Sequence, residues 1–155
     1  MKLGVDPGLT GALALLDSDY VVKLWDMPVT EKINGKGKQV NAYLLNDIIQ
    51  EALSLNRGTL IATVEQVGAM PGQGVTSMFG FGRSFGVVEG VLAANGIKTR
   101  LIRPAVWKKS CGLAGKEKDA SRTKAISLYP EVSAQLCLKK HNGRADAIFL
   151  AASAT

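Results

Sequence analysis

The stretch "LGVDPGLTGALALLD", residues 3–17, decides the fold and raises a chemical question. Its first apolar residues predict a β-strand, which Pro7-Gly8 must end. Asp6 therefore stands at the carboxyl end of this strand, where ligand-binding side chains collect in open sheets. The apolar run that follows, residues 11–16, predicts a second strand returning beside the first. The alternative is an aspartate that only stabilises an Asp-Pro-Gly turn.

Length and composition indicate one globular domain over residues 1–155. The chain is 46% hydrophobic and 21% charged, values typical of soluble proteins. It contains neither a secretory signal pattern nor an apolar run of the roughly 18–20 residues that a membrane span needs. Cys111 and Cys137 lack metal-type spacing, so we expect reduced thiols in a cytoplasmic protein, with a disulfide as the second alternative.

Positive charge is concentrated in the last third of the chain. Residues 1–97 contain seven Lys or Arg and nine Asp or Glu, whereas residues 98–155 contain twelve and four. Such a basic tract, in a protein with a pI of about 9.4, is typical of nucleic-acid binding. The alternative is a solvated basic surface without a partner.

The order of predicted elements indicates an α/β fold. Three strands, the last two forming an antiparallel hairpin, precede alternating helices and strands, and this order predicts a five-stranded mixed sheet with helices on both faces. The predicted strands cover residues 2–6, 12–17, 20–27, 59–64 and 97–102. The predicted helices cover residues 40–55, 87–94, 105–109, 119–128 and 143–152. We expect a flexible loop over residues 30–38 and a glycine-rich segment over residues 67–86.

Three carboxylates at the ends of apolar elements form the candidate catalytic set. Glu65 closes a strand as Asp6 does, and Asp146 lies in the first turns of an otherwise apolar helix. Acidic groups that converge repel one another, and a divalent cation removes this conflict. Hard Mg²⁺ or Mn²⁺ prefers such oxygen ligands. The three acids, together with the basic tract, therefore favour metal-dependent phosphodiester hydrolysis.

Other catalytic sets have little support in the sequence. It contains no His/Cys cluster, no Gly-x-Ser-x-Gly motif and no Walker-type phosphate loop. His141 is the only histidine. A DxGxTxG-like opening also occurs in actin-type sugar kinases and ATPases, but these enzymes need a second subdomain that a single domain of this length does not supply.

Four blocks in order resemble one family over nearly the whole chain. "GVDPGLTGALAL", "VEQVGAMPGQGVTSMFGFGRSFGVVEGVLAANGI", "RPAVWKK" and "HNGRADAIFLAA" are similar to the RuvC-like Holliday-junction resolvases, particularly the compact phage-type branch. The resemblance implies a ribonuclease H-like fold, a homodimer, symmetric nicking of four-way DNA junctions with Mg²⁺ or Mn²⁺, and a bacterial or phage-infected cell. It makes Asp6, Glu65 and Asp146 the catalytic and metal-binding acids.

The chain departs from this family just before its last acid. The resemblance implies a fourth metal-proximal group there, commonly a carboxylate and sometimes a histidine, and the candidates are His141 and Asn142. We favour His141, which could position or activate the attacking water or ligate metal when neutral. If neither residue serves, the chain is a weak nuclease or a non-catalytic binder of branched DNA.

Two groups of residues are candidates for DNA binding. Basic side chains near a predicted helix start, or near the acids in sequence, suit phosphate contacts: Lys108, Lys109, Lys116, Lys118, Arg122, Lys139, Lys140 and Arg144. Phe79, Phe81 and Arg83 lie between glycines, and the resemblance places this segment near the junction centre, where an aromatic ring could stack on an opened base. The alternatives are an exposed cationic helix face and ordinary helix packing.

Paired nicks in opposed strands require two active sites related by a two-fold axis. A single domain with one acidic cluster supplies them by pairing with a second copy of itself. Gly86, Gly90, Ala93 and Ala94, in a helix expected over residues 85–94, permit close approach of a partner. The alternative is that this helix face packs against the protein's own sheet.

Overall fold

An antiparallel meander of three strands opens the fold. The computed structural model describes residues 1–33, 35–66, 68–69 and 72–153. The first strands are β1 (Lys2–Val5), β2 (Ala12–Asp17) and β3 (Tyr20–Asp26), and each pairs antiparallel with the next. The predicted strands and hairpin are confirmed to within a residue.

Two further strands complete a mixed sheet. β6 (Ile61–Glu65) pairs parallel with β1, and β7 (Lys98–Ile102) pairs parallel with β6, which gives the order β3-β2-β1-β6-β7. The predicted five-stranded mixed sheet is thus confirmed. Because β1, β6 and β7 run in the same direction, their carboxyl ends lie at one edge of the sheet.

Helices cover both faces of this sheet. They are α1 (Ala42–Leu55), α2 (Val75–Ala94), α3 (Pro104–Ser110), α4 (Ala120–Leu128) and α5 (Asn142–Ala152), with 3₁₀ turns at Pro130–Leu136 and Lys139–His141. Leu13 and Leu15 of β2 pack into a core with α1 and α2. The alternate residues of β2, such as Ala14, pack into a second core with α3, α4 and α5. This alternation follows from the two-residue period of a strand.

A second, two-stranded sheet occupies the two ends of the predicted loop over residues 30–38. β4 (Val29–Glu31) pairs antiparallel with β5 (Lys38–Val40). Gly35 and Gly37 lie between them with positive φ angles of 68° and 90°, a conformation that glycine adopts without strain. The strands therefore include residues 30, 31 and 38 of the predicted loop, and the two glycines lie in the connection between them.

Helix α2 begins at Val75, twelve residues before the predicted start at residue 87. The prediction was wrong because each glycine in a helix costs about 1 kcal/mol relative to alanine, which made this segment look non-helical. In the missed part of α2, Ser84 is buried and Phe85 packs against the core beside the sheet, and this packing overrides the weak local preference. No helix in the described residues is long and apolar enough to cross a membrane.

Candidate active site

Strand register brings two of the three predicted acids together. Val5 of β1 is aligned with Val64 of β6, so the next residues along the two parallel strands, Asp6 and Glu65, emerge side by side. Asp6 follows the last residue of β1, and its backbone N–H donates to Ala12 O at 3.0 Å as the chain turns into β2. Both carboxylates thus lie at the carboxyl edge of the sheet.

The third acid is brought to this edge by close packing of α5 on β1. A side chain at Gly4 would collide with the carbonyl oxygen of Ala147, and a Cβ at Gly143 would lie 2.9 Å from Gly11 Cα. Glycine at both positions lets the helix backbone rest directly on the β1–β2 hairpin. Asp146 lies between these contact points and is thereby held next to the sheet edge.

The charges of the three acids act on one another. Burial, the largest cause, and the nearby charges of Glu65 and Asp146 together raise the pKa of Asp6 to about 7, against a hydrogen bond from Gly8. Burial also raises the pKa of Asp146. Lys108 opposes the rise at both aspartates. A cluster of this kind is destabilised by its own charge and would be stabilised by a cation.

A different hydrogen-bond donor holds each acid. The Gly8 N–H donates to Asp6 Oδ1 at 3.1 Å, and Trp107 Nε1–H donates to Glu65 Oε1 at 2.8 Å. The Ser121 hydroxyl donates to Asp146. In residues 1–33, 35–66, 68–69 and 72–153, no three His, Cys, Asp or Glu side chains are grouped closely enough to hold a metal ion. The acids are therefore near enough to repel one another, but side-chain movement must bring them onto a shared ion.

The donor set nevertheless suits Mg²⁺ or Mn²⁺. All three groups are carboxylates, the ligand type that these hard cations prefer. They come from the ends of two strands and from α5, and Lys108 lowers the pKa of both aspartates. Asp6, Glu65 and Asp146 are thus the residues that would hold the metal.

The structure does not bring His141 or Asn142 to these acids. The His141 ring is buried, and its Nδ1 accepts a hydrogen bond from the Leu138 N–H at 3.3 Å. Burial lowers the pKa of His141, and its charged neighbours are Arg144, Lys140, Asp26 and Arg122. The Asn142 side chain donates to Asp119 Oδ1 at 3.0 Å. Neither predicted candidate therefore completes the acidic cluster in this structure.

Exposed lysines surround the cluster on the Asp146 side. Asp146 lines a cavity of about 330 Å³ together with Lys108, Lys116 and Lys118. An adjoining cavity of about 520 Å³ shares Lys118 and is also lined by Lys139 and Lys140. Lys109 is exposed on α3 but lines neither cavity. Five of the predicted lysines thus form one basic rim beside an acid, and this set is called the lysine rim below.

Two of the predicted basic contacts have intramolecular partners instead. Arg144 donates from Nε and Nη2 to both oxygens of Asp26 at 2.6 and 2.7 Å. Its Nη1 donates to Gln135 O at 2.9 Å. Arg122 Nη1 donates to Leu136 O at 3.2 Å, and Nη2 lies 3.5 Å from Asp119 Oδ2. Both guanidinium groups tie elements of the fold together, which argues against their predicted role as DNA contacts.

The predicted aromatic segment lies on helix α2 and lines a groove at the other side of Asp6. Phe79, Phe81 and Arg83 face a cavity of about 530 Å³. The opposite walls are the turn at residues 8–10, which follows Asp6, and the β4–β5 hairpin with Lys32 and Lys38. The Phe79 side chain is 75% exposed, so it is not an ordinary packing residue.

Sequence analysis missed the two side chains that hold acids in place. Neither Trp107 nor Ser121 was among the candidates. A buried tryptophan usually has a partner for its indole N–H, but here the partner, Glu65, is 42 residues away in sequence. No comparable signal marked Ser121.

Comparisons with known proteins agree with this architecture. No family model matches the chain. A curated relative, "Holliday junction resolvase MOC1, chloroplastic" from Chlamydomonas reinhardtii, is 31% identical over 153 residues, which cover 87% of this chain. The matched region spans 17% of that protein's length.

Two solved structures share the fold. RuvC of T. thermophilus in complex with a Holliday junction substrate matches with a TM-score of 0.64 at 15% identity. A second structure of Thermus thermophilus RuvC matches with a TM-score of 0.60 at 16% identity. Each match covers 96% of this chain and 88% of the RuvC chain. The predicted resemblance is therefore confirmed at the level of the fold: the chain has the ribonuclease H-like fold of these two structures.

Proposed function

We infer that this protein is a metal-dependent endonuclease that resolves four-way DNA junctions by paired, symmetric nicks. The observation that carries the proposal is the meeting of Asp6, Glu65 and Asp146 at one sheet edge, with the lysine rim beside them. An acidic cluster next to a basic surface suits a polyanion whose phosphodiester must be hydrolysed. The curated relative named as a Holliday junction resolvase supports the same substrate class.

Each acid has a definite part in the proposed chemistry. Asp6 and Glu65, on adjacent strands, would hold Mg²⁺ or Mn²⁺ together with Asp146 from α5. Such a cation, when bound, supplies positive charge for the cluster and for the phosphate in its transition state. Lys108 already lowers the pKa of both aspartates, so it lies where a scissile phosphate would meet positive charge.

The flanking surfaces would position the DNA. The lysine rim offers several ammonium groups to backbone phosphates, contacts that fix a duplex without reading its bases. On the other side of Asp6, the exposed Phe79 ring could stack on an opened base, a contact worth about 1–3 kcal/mol. Phe81, Arg83 and the lysines of the β4–β5 hairpin would line the path of that strand.

A homodimer would supply the second active site. Gly86, Gly90, Ala93 and Ala94 lie on the exposed side of α2, and a Cβ added at either glycine would meet no neighbouring atom. The opposite side of α2 packs on the protein's own sheet through Val88 and Leu92. The small-residue face is thus not used for intramolecular packing, which supports its role as the dimer contact. Sedimentation at micromolar concentration, alone and with a junction, tests the pairing.

The direct test is cleavage of a synthetic four-way junction with and without Mg²⁺. We expect two symmetric nicks per junction that depend on the metal, and no comparable cleavage of linear duplex. Junction binding without cleavage in the presence of Mg²⁺ and Mn²⁺ would contradict the catalytic part of the proposal.

One observation favours a second candidate, a branched-DNA-binding protein with weak or no catalysis. No metal-ready group of three acidic or metal-binding side chains exists within the described residues, and His141 and Asn142 lie elsewhere. The same assay separates the two candidates, because a non-catalytic binding protein would bind the junction with any of these metal ions and leave it uncut.

A further inference from the structure

A tryptophan with a buried indole ring links two parts of the proposed active site. Trp107 is fully buried, at 0% exposure, and its Nε1–H donates to Glu65 Oε1 at 2.8 Å. Lys108 Nζ lies 5.4 Å from the centre of the Trp107 ring, within the range of a cation–π contact. The same lysine interacts electrostatically with Asp6 and Asp146. One rigid side chain therefore contacts Glu65 on one edge and Lys108 on one face.

We propose that Trp107 is a positioning residue, which fixes the orientation of the Glu65 carboxylate for metal binding and keeps Lys108 beside the acids. This inference rests on the proposed function, because it concerns the same site. The indole occupies Oε1 and leaves Oε2 of Glu65 free of any hydrogen bond found among the described residues. A carboxylate held by one oxygen presents the other in a defined direction, as hydrogen-bonded partners of metal ligands commonly achieve.

The local fold explains how Trp107 reaches this position. Glu65 ends β6 and is aligned with Ile102, the last residue of β7. Helix α3 starts immediately after β7, with Pro104 at its first turn, and Trp107 lies on the buried face of that helix. The strand register and the short connection thus return the indole over the end of the neighbouring strand. The neighbouring Lys108 is exposed.

The chain contains a matched control for this arrangement. Trp25 Nε1–H donates to Glu51 Oε2, also at 2.8 Å, and Lys23 Nζ lies 5.5 Å from the centre of the Trp25 ring. Here Lys23 also pairs directly with Glu51, and both charged side chains are about two-fifths exposed. Trp25→Phe therefore removes a tryptophan–glutamate hydrogen bond of the same length, away from the three acids.

The experiment compares Trp107→Phe with Trp25→Phe in the full chain, using Mn²⁺ alone as the probe. Phenylalanine keeps an aromatic ring but has no N–H to donate. We expect Trp107→Phe to weaken Mn²⁺ binding by about 10–100-fold in calorimetric titrations, and Trp25→Phe to leave it unchanged. In a Glu65→Gln background, Trp107→Phe should add little further loss, because the two residues act through one contact. Equal Mn²⁺ affinities of the two phenylalanine variants would overturn the inference.

A measurement on a chain that keeps Trp107 covers the case in which Trp107→Phe fails to fold. The Trp25→Phe variant has a single indole N–H, that of Trp107, because the chain contains two tryptophans. We expect Mg²⁺ to shift its nuclear magnetic resonance signal, and Glu65→Gln in the same chain to abolish the shift. An indole signal unmoved at saturating Mg²⁺ would overturn the positioning role.

These outcomes distinguish the inference from the function on which it rests. If the wild-type chain binds Mn²⁺ and cuts junctions, and both tryptophan variants bind Mn²⁺ equally well, the positioning role alone is refuted. A wild-type chain that binds no Mn²⁺ and cuts no junction refutes the proposed function and the inference with it.

Discussion

The same three residue types form two clusters in this protein, with different consequences. Lys23, Trp25 and Glu51 join β3 to α1, whereas Lys108, Trp107 and Glu65 lie at the edge of the central sheet. Each cluster has a tryptophan–glutamate hydrogen bond of 2.8 Å and a lysine about 5.5 Å from the ring centre. We call them the surface cluster and the site cluster.

The two clusters differ in whether the lysine is paired with a carboxylate. In the surface cluster Lys23 pairs directly with Glu51, and the pair lowers the pKa of that carboxyl. In the site cluster no ion pair within 4 Å involves Lys108 among the described residues, and the acids near it are more numerous. The surface cluster is electrostatically satisfied, whereas the site cluster retains positive and negative charge for partners. We propose that the extent of charge pairing, more than residue identity, distinguishes the two clusters.

The largest expected effect is on cleavage. Glu65→Gln should reduce junction cleavage by about 10³-fold or more, because the variant loses a charged ligand at the reacting centre. Glu51→Gln, which breaks the surface cluster, should cleave as the wild type does. The measurement is single-turnover cleavage of a four-way junction in Mg²⁺, with binding followed in Ca²⁺.

Junction affinity provides the control for that comparison. Glu65→Gln should bind the junction at least as tightly as the wild type, since it removes an anionic group that faces phosphate. Retained cleavage by Glu65→Gln, or its loss in Glu51→Gln, would break the proposed division between the two clusters.

The next effect concerns stability without metal and is expected at Asp6, the acid beside Glu65 of the site cluster. The pKa of Asp6 is raised to about 7, above the value of about 3.9 for an unfolded chain. Between about pH 4 and pH 7 the folded state of the wild type therefore binds more protons than the unfolded state. Its free energy of unfolding falls as pH rises through this window. Asp6→Asn should be more stable than wild type at pH 8, by at most about 4 kcal/mol, and equal to it below pH 4.

Urea unfolding in a chelator across pH 4–8 measures this difference, and added Mg²⁺ serves as the control. The cation should stabilise the wild type by mass action and leave Asp6→Asn unaffected. An Asp6→Asn variant that is less stable than wild type at pH 8 would contradict a buried, repelled carboxylate.

The meeting of Asp6 and Glu65 at one sheet edge could be predicted because both acids stand at the ends of strands with strong apolar patterns. The strands before Asp6 and Glu65 have the short apolar character of buried strands, and parallel pairing alone brings their ends together. His141 was predicted because the family resemblance implies a metal-proximal group a few residues before the last acid. It ends a 3₁₀ turn ahead of α5, where its ring is buried and accepts a hydrogen bond from the Leu138 N–H, and no local sequence signal marks this packing.

Other features depended on packing that local sequence does not encode. The glycines of α2 weaken the local preference for a helix, whereas the burial of Ser84 and the packing of Phe85 in the fold favour one. The sequence of residues 30–38 predicts a loop, and only the pairing of β4 with β5 shows that its two ends are strands. Likewise, Arg144 could not be recognised as structural, because its partner Asp26 is 118 residues away in sequence.

A smaller effect is expected on DNA binding. Lys108→Gln should reduce the slope of log affinity against log salt by about 1, because one phosphate contact is lost. Lys23→Gln removes the same charge from the surface cluster and should leave the slope unchanged. Neutralising Lys108, Lys109, Lys116 and Lys118 together should flatten the slope further. Filter binding of a junction in Ca²⁺ over a range of salt concentrations measures these slopes, and equal slopes for Lys108→Gln and Lys23→Gln would contradict the phosphate contact.

The smallest expected effect is the loss of the stabilisation by Glu51, in the surface cluster, at acidic pH. Hydrogen bonds from Lys23 and Trp25 lower the pKa of Glu51 below the unfolded value of about 4.3. Glu51 therefore stabilises the fold above that pH, and its contribution is lost as pH falls through the lowered pKa. Glu51→Gln should be slightly less stable than wild type at pH 7, and the stabilities of the two chains should become equal on acidification. This pH dependence is opposite to that expected for Asp6→Asn.

Salt provides a second test of the same contrast. Because the Lys23–Glu51 pair is solvent-exposed, 1 M salt should reduce the stability difference at pH 7, whereas the effect at the buried Asp6 should persist. Thermal unfolding of Glu51→Gln and Asp6→Asn at low salt and at 1 M salt makes the comparison. Salt effects of equal size on the two stability differences would show that Glu51 and Asp6 are not electrostatically distinct.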